Sequence, residues 1–208
     1  MKLKVCGLNQ YENICAIEAL PEITHTGFIF VETSPRNAFN LATIPKKKAE
    51  VKRVGVFVNP SLETILHYFE AFDLDIIQLH GGESPSFCEQ VQQKIAPVYK
   101  AMGIEDENSL RHLYKYKNII SAFVFDTKSV KRGGTGKKFN WDLLAQYKES
   151  IPFLLSGGIG PDDADILSSF EHSKCIGYDL NSRFENQPGV KNHEKLKKFI
   201  SDIKQQKN

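Results

Sequence analysis

The sequence has few cysteines, and none of them are closely paired. The four thiols are Cys6, Cys15, Cys88 and Cys175, and no two of them form a CxxC pair. Zinc and thiol-disulfide motifs need such close spacing, so neither is expected. Four histidines likewise lack the spacing of metal ligands: His25, His67, His112 and His172. These spacings therefore predict no metal site.

Long apolar runs and a strong charge imbalance are also missing. No apolar run approaches the roughly 18 residues of a membrane span, and the opening Met1–Cys6 is too short for a signal peptide. We therefore expect a cytoplasmic protein with reduced thiols and no membrane partner. The net charge is only +2, and no surface of interleaved basic and aromatic residues is evident, so no nucleic-acid partner is expected.

What the sequence does contain is a regular alternation of strands and helices. Eight short β-branched or aromatic runs are each followed by a helical pattern. The predicted strands are Leu3–Cys6, Gly27–Val31, Val54–Val58, Asp75–Leu79, Pro97–Met102, Ala122–Phe125, Pro152–Leu155 and Cys175–Leu180. Such alternation is typical of parallel sheets, and eight units predict a single α/β domain over residues 1–208, a closed (β/α)8 TIM barrel. An open doubly wound sheet is the alternative, but no GxGxxG follows the first strand.

Local signals predict where several helices begin. Asn9 and Glu12 resemble a capping box, Asn59-Pro60 resembles an N-cap followed by proline, and Ser84-Pro85 opens a further helix. Gly160-Pro161-Asp162-Asp163 predicts another helix start, with acids in its first turn. A short helix is expected over residues 40–50. Residues at helical spacing predict the buried side of the helix after the third strand: Leu62, Ile65, Leu66, Phe69 and Phe72.

The polar residues at the strand ends point to the site, because a barrel gathers its active site at the C-terminal ends of its strands. Cys6 ends the first strand with Lys4 two residues before it, and Arg36 follows the second strand. The later strand ends carry Gln78, His80, Asp126, Gly157, Gly158 and Asp179. We expect these scattered residues to lie together in the opening of the barrel at the C-terminal ends of its strands, which we call the mouth.

Cys6 and Asp126 are the candidate base and acid. Lys4 and Cys6 share one side of a strand, so the cation could favour the thiolate, although a buried free cysteine is most often a packing residue. Asp126 lies beneath a glycine-rich loop that could fold over it, although it could simply cap that loop. The loop does not match a nucleotide-binding P-loop, since Lys131 and Lys138 replace the required Gly and Ser/Thr.

Two strand ends predict a phosphate site. Gly157-Gly158 before a helix could be only a tight turn, but it could also present backbone N–H groups to an anion. Asn181-Ser182-Arg183 follows the eighth strand. Phosphate sites after strands seven and eight recur in barrels, so we favour a phosphorylated small molecule as the ligand.

Motifs along the whole chain resemble those of the phosphoribosylanthranilate isomerase family. The similar segments are Lys4–Leu8, Gly27–Phe30 with Ser34–Arg36, Val54–Asn59, Gln78–Glu83, Asp126, Gly133–Gly136 with Phe139–Trp141, Ser156–Ile159 and Pro188–Lys191. The resemblance implies a metal-free and cofactor-free Amadori rearrangement in tryptophan biosynthesis. It implies Asp126 as general acid, Cys6 as general base and Arg36 on the anthranilate carboxylate. The substrate phosphate would lie over Gly157, Gly158 and Ser182.

The sequence departs from the family pattern at three places. Asn9 replaces the usual threonine, Asn192 replaces an acid, and Asn181-Ser182-Arg183 replaces Ser-Ser-Gly after the eighth strand. The lost glycine affects half of the expected phosphate site, where Arg183 could add a cation. Two alternatives therefore stay open: another sugar-phosphate isomerase, or a ligand-binding barrel without catalysis. The sequence also leaves open whether the protein is a monomer or a homodimer.

Overall fold

Eight parallel strands close into one barrel in the computed structural model, which describes residues 1–127 and 141–207. Each strand pairs with the next in chain order, and the eighth pairs with the first. The strands are β1 (Lys2–Cys6), β2 (His25–Phe30), β3 (Lys52–Phe57), β4 (Ile76–Leu79), β5 (Val98–Ile104), β6 (Ala122–Thr127), β7 (Phe153–Leu155) and β8 (Cys175–Leu180). The predicted (β/α)8 barrel is confirmed.

The helices between the strands vary in type as well as in length. The α-helices are α1 (Tyr11–Glu18), α2 (Leu62–Ala71), α3 (Pro85–Lys94), α4 (Ala164–Ser169) and α5 (His193–Lys207). Short 3₁₀-helices take the helical positions after β5 and β6, at Glu107–Leu110, Leu113–Tyr116 and Trp141–Gln146. Two more lie at Pro161–Asp163 and Ser182–Phe184. The predicted helix starts at Ser84-Pro85 and Gly160-Pro161 are confirmed.

The core has two layers because side chains alternate along each strand. The larger layer lies between the strands and the helices and includes Leu196, Phe199, Ile200 and Ile203 of α5. The smaller layer fills the barrel itself, with Val54, Ile76, Tyr99, Ala101, Ala122, Val124 and Leu154. Apolar residues therefore fill the middle of the barrel, and polar residues lie toward the C-terminal ends of its strands.

A small antiparallel hairpin follows β8 and was not predicted. Its strands are β9 (Glu185–Gln187) and β10 (Val190–Lys191). Asn13 of α1 binds both backbone groups of Lys191 in this hairpin. Its Nδ2 donates to the Lys191 carbonyl at 2.9 Å, and its Oδ1 accepts from the Lys191 N–H at 2.8 Å. The hairpin is thus fixed beside the end of β1.

The helix predicted over residues 40–50 is wrong, because that range is irregular. Pro45 disfavours helical geometry at Ile44, and its carbonyl accepts a hydrogen bond from Arg53 Nη2 at 2.8 Å. Arg53 also binds Glu18 through Nε and Nη2, at 3.0 and 3.1 Å. The buried Arg53 guanidinium thus binds a backbone carbonyl, that of Pro45, which in a helix would instead accept from a backbone N–H.

Two predicted helix caps and one core residue are also wrong. Helix α1 begins after Gln10, which makes no side-chain cap, whereas the Asn9 side chain lies against Gly189. Helix α2 is capped by Ser61, whose Oγ accepts from the Thr64 N–H at 3.0 Å. Asn59 instead has a φ of +48° and accepts from the Gly82 N–H. Leu66 is 43% exposed and does not belong to the core.

Several predictions fall on residues 128–140 and lie outside the described part of the chain. They concern the glycine-rich loop with Lys131 and Lys138, and Asn140, whose sequence position predicts the N-cap of a helix opening at Trp141. In the described ranges, no helix is long and apolar enough to cross a membrane.

The Arg53–Glu18 pair gives a first testable prediction. Both side chains are buried, and Arg53→Met would leave the Glu18 carboxylate buried without its cation. We expect the free energy of unfolding, measured by urea denaturation, to fall by about 3–5 kcal/mol. The matched control is Lys198→Met, which breaks an exposed pair with Asp202 and should leave stability unchanged. Equal stability of the two variants would contradict the assignment.

Candidate active site

The centre of the barrel mouth is an ion pair between its first and last strands. Lys4 of β1 and Asp179 of β8 are direct neighbours in the sheet. Lys4 Nζ donates to both carboxylate oxygens, at 2.9 and 3.0 Å. Burial alone would lower the pKa of Lys4, but the charges of Asp179 and Cys6 raise it above its ordinary value. Lys4 is therefore a fully buried ammonium group at the floor of the mouth.

Cys6 lies beside this pair at the end of β1. Its sulfur occupies the space that a side chain on Gly27 of β2 would need, since a Cβ there would lie 2.8 Å from Sγ. Burial raises the pKa of the Cys6 thiol, while Lys4 and Lys191 oppose the rise. The predicted influence of Lys4 is present, but burial outweighs it. The thiol is thus the main form at pH 7, and Lys4 and Lys191 favour the thiolate fraction that remains.

Asp126 and His80 face the mouth from the opposite side. Asp126 Oδ2 lies 3.7 Å from His80 Nε2, and Gln78 Nε2 lies 3.5 Å from His80 Nδ1. Surrounding protein, followed by the charges of Lys100 and Lys4, lowers the pKa of His80, so the imidazole is neutral at pH 7. The His80 side chain keeps 39% of its surface exposed, so its ring is accessible from the mouth.

Asp179 connects the two sides of the mouth. Burial raises the pKa of Asp179, Lys4 opposes that rise, and the charge of Asp126 adds to it. Because Asp179 interacts with Lys4 and Cys6 on one side and with Asp126 and His80 on the other, all these groups share one mouth. The structure pairs Lys4 with Asp179 and places Asp126 beside His80, as the predicted convergence of strand ends requires.

Gln78 has an unsatisfied oxygen at the same level of the barrel. The side chain is buried, and its Oε1 accepts no hydrogen bond from the described part of the chain. A buried amide oxygen without a donor is costly, so this atom favours a ligand or water that carries an N–H or O–H group. This fits the predicted place of Gln78 among the binding residues.

Arg36 reaches the mouth but is already engaged by a carboxylate. Its Nε donates to Glu185 Oε1 and Oε2 at 2.9 and 3.0 Å, and its Nη2 donates to Oε2 at 2.8 Å. Its side chain lies over Gly7, the residue after Cys6, where an added Cβ would be 3.0 Å from Arg36 Cδ. Glu185 was not predicted from the sequence. The only signal near it was the Pro188–Lys191 motif.

Gly157 and Gly158 adopt the backbone that the phosphate prediction needs. Their φ angles are +84° and +71°, in the left-handed region that favours glycine. Their N–H groups, and that of Ser182, donate to no acceptor in residues 1–127 and 141–207. The Arg183 side chain lies beside Gly160, because a Cβ on Gly160 would be 3.3 Å from its Nε. Consecutive unused N–H groups at two neighbouring strand ends are suited to an anion.

The described residues offer no metal centre. Across residues 1–127 and 141–207, no group of three or more His, Cys, Asp or Glu side chains could hold a metal ion. The ionisable groups of the mouth are instead arranged as a thiol, three carboxylates and three cations, counting Arg36, Glu185 and Lys191. Such a set is suited to moving protons on a charged ligand.

Comparison with known proteins identifies the family. The profile described as "N-(5'phosphoribosyl)anthranilate (PRA) isomerase" matches residues 3–202. Named N-(5'-phosphoribosyl)anthranilate isomerases of Parabacteroides distasonis and Phocaeicola vulgatus are each 40% identical to the chain. The matches cover 98% and 99% of this chain and 93% and 98% of those proteins. The chain belongs to the phosphoribosylanthranilate isomerase family.

Solved structures of phosphoribosylanthranilate isomerases share the whole barrel. The enzyme from Thermotoga maritima has a TM-score of 0.82 and 28% identity over 99% of both chains. Another structure, with a TM-score of 0.81, 26% identity and the same coverage, holds reduced 1-(o-carboxyphenylamino)-1-deoxyribulose 5-phosphate. A further one describes monomers generated from the dimeric Thermotoga maritima protein. The chain is thus an isomerase of tryptophan biosynthesis, built on the fold predicted from its sequence.

The shifted pKa of Cys6 gives a second prediction. Because burial raises it, alkylation of Cys6 by iodoacetamide should reach half its maximal rate at a higher pH than alkylation of free cysteine. The rate would be followed by mass spectrometry of the Cys6 peptide. Lys4→Gln should move the midpoint higher still, since Lys4 lowers this pKa. A midpoint at or below that of free cysteine would contradict the described environment.

Proposed function

We propose that this chain converts N-(5'-phosphoribosyl)anthranilate into 1-(2-carboxyphenylamino)-1-deoxyribulose 5-phosphate, with Asp126 as general acid and Cys6 as general base. The observation that supports the proposal is that Cys6, Asp126 and Asp179 all lie at the C-terminal ends of barrel strands, where the charge of Asp179 affects the pKa of Cys6 and the charge of Asp126 affects that of Asp179. The reduced product analogue bound by a structural relative supports the choice of substrate. No metal or cofactor is required, because each step moves only protons and the electron pairs of the sugar.

The first step opens the ribose ring. Asp126 donates its proton to the ring oxygen, the bond from C1 to that oxygen breaks, and the anilino nitrogen lone pair forms an iminium at C1. Protonation is needed because an alkoxide is a poor leaving group at neutral pH. The neutral His80, with Nε2 at 3.7 Å, offers a polar neighbour to the Asp126 carboxyl group without adding a competing positive charge.

The second step moves hydrogen from C2. The Cys6 thiolate takes the C2 proton, the C–H electrons form the C1–C2 double bond, and the C1–N double-bond electrons return to nitrogen. The enol then tautomerises: C1 gains a proton as the C2 hydroxyl loses one, giving the ketone. Burial keeps the thiolate scarce, and Lys4 and Lys191 both lower the pKa of Cys6, so their charges raise the reactive fraction.

The remaining residues are proposed to bind the two ends of the substrate. Arg36 would hold the anthranilate carboxylate, since a guanidinium donates two parallel hydrogen bonds to such a group. The N–H groups of Gly157, Gly158 and Ser182 would receive the phosphate. Gln78, His80, Lys4 and Asp179 would line the sugar between them. The monomeric or dimeric state and the cytoplasmic location stay as predictions.

The proposal gives a third prediction, on turnover. Each of Cys6→Ala and Asp126→Asn should lower kcat by about 10²–10⁴-fold, because each removes one proton-transfer group. The fluorescence of the anthranilate substrate would report its consumption. Cys15→Ala is the matched control, since Cys15 is exposed on α1. Full activity of either site variant would remove that residue from its role.

A barrel that binds phosphate ligands without catalysis is the second candidate, favoured only by Arg183 in place of the family's glycine. Expression of this gene in a tryptophan auxotroph that lacks the isomerase would separate the two. We expect growth without tryptophan. Absence of growth despite correctly folded, abundant protein would favour the binding role.

Arg183 itself gives a fourth prediction. Its side chain lies beside Gly160, close to the proposed phosphate site, where the guanidinium would add a positive charge. Arg183→Gln should weaken competitive inhibition by inorganic phosphate about 10-fold, which corresponds to one charge-assisted hydrogen bond. Lys197→Gln, on α5, serves as the control. Unchanged inhibition in Arg183→Gln would place its guanidinium away from the phosphate.

A further inference from the structure

The guanidinium of Arg36 is held along one edge by Glu185. Three hydrogen bonds of 2.8–3.0 Å join Nε and Nη2 to the two carboxylate oxygens. The aliphatic part of the Arg36 side chain also packs over Gly7, whose φ of +79° favours glycine. These contacts restrict rotation of both the aliphatic part and the guanidinium of Arg36. In the described part of the chain, Nη1 donates to no acceptor, so the opposite edge is available to a ligand.

Glu185 is itself held by the hairpin that carries it. Its Oε1 accepts from Lys191 Nζ at 2.6 Å and from the Gly189 N–H at 3.1 Å. Lys191 Nζ also donates to Asn181 Oδ1 at 2.7 Å, and that oxygen lies against Gly7. Side chains from three segments thus meet directly above the end of β1.

The charges in this cluster leave it attractive to a second carboxylate. Burial alone would raise the pKa of Glu185, but Arg36 and Lys191 lower it below its ordinary value, so Glu185 is ionised at pH 7. Arg36 and Lys191 then contribute two positive charges against one negative charge. The excess of one positive charge allows Arg36 to keep its partner and still bind an anion.

We propose that Glu185 is the positioning residue for Arg36: it fixes the guanidinium so that the Nη1 edge faces the carboxylate of an aromatic substrate. This assignment rests on the proposed function, because it presumes that Arg36 binds that carboxylate. Glu185 touches no reacting atom. Its role is to hold the Arg36 side chain in the binding conformation before the ligand arrives. The free-energy cost of ordering Arg36 then does not weaken ligand binding.

A purely structural role for Glu185 would have different consequences. If Glu185 only stabilised the hairpin through Lys191 and Gly189, its loss would weaken all ligands of the mouth alike. If it orients Arg36, its loss would weaken only ligands that carry the carboxylate. Two ligands that differ in that group therefore separate the two roles.

The experiment measures binding by calorimetry to the full-length protein. One ligand is reduced 1-(o-carboxyphenylamino)-1-deoxyribulose 5-phosphate, and the other is the same compound without its carboxylate. We expect Glu185→Gln to weaken the first by about 10-fold, as for loss of a charge-assisted contact, and the second by less than about 2-fold. Glu185→Asp should recover part of the loss, and Glu22→Gln, which alters a surface pair with Lys204, should change neither.

A double substitution completes the test. In an Arg36→Met background the two ligands should bind equally, and adding Glu185→Gln should then have no selective effect. Equal affinity of the native protein for both ligands would overturn the proposed role of Arg36 and this assignment with it. Native selectivity that persists in Glu185→Gln would overturn the assignment of Glu185 alone.

Discussion

The contact between Lys4 and Asp179 is the interaction on which the site depends. It joins the strand that begins the barrel to the strand that completes it, and both partners are almost fully buried. Two charges at this depth are tolerated because each satisfies the other through short hydrogen bonds. Cys6 lies on one side of this pair, and Asp126 and His80 lie on the other. The arrangement of these ionisable groups therefore depends on the pairing of β1 with β8 that closes the barrel.

Burial and charge act against each other throughout this mouth. Burial raises the pKa of Cys6, whereas Lys4 and Lys191 lower it, and burial prevails. At Glu185 the balance is reversed, because two cations contact one carboxylate directly. A buried thiol with a raised pKa is a weak nucleophile toward ordinary reagents. In the proposed mechanism it is the small thiolate fraction, favoured by Lys4 and Lys191, that takes the C2 proton once the sugar carries an iminium charge.

The sequence predicted the barrel because each of its eight units carries its own local signal. Buried strands are continuous apolar runs, and strand ends are polar, so the sequence alone predicts that one mouth contains Cys6, Gln78, His80, Asp126 and Asp179. Residues 40–50 were mispredicted because their backbone is held by Arg53, a contact between segments that local propensity does not contain. Glu185 was missed for the same reason: its partners Arg36 and Lys191 meet it only in three dimensions. The pKa of Cys6 depends on the depth of burial, which the order of residues does not give.

The hairpin after β8 has a consequence for how the protein is made. Because β1 hydrogen-bonds with β8, and Arg36 and Lys191 both contact Glu185, the surroundings of Cys6 need segments that are synthesised long after it. Until β8 and the hairpin are made, Lys4 lacks Asp179 and Arg36 lacks Glu185. The environment of the thiol is therefore completed only when the first and last strands of the barrel pair during synthesis.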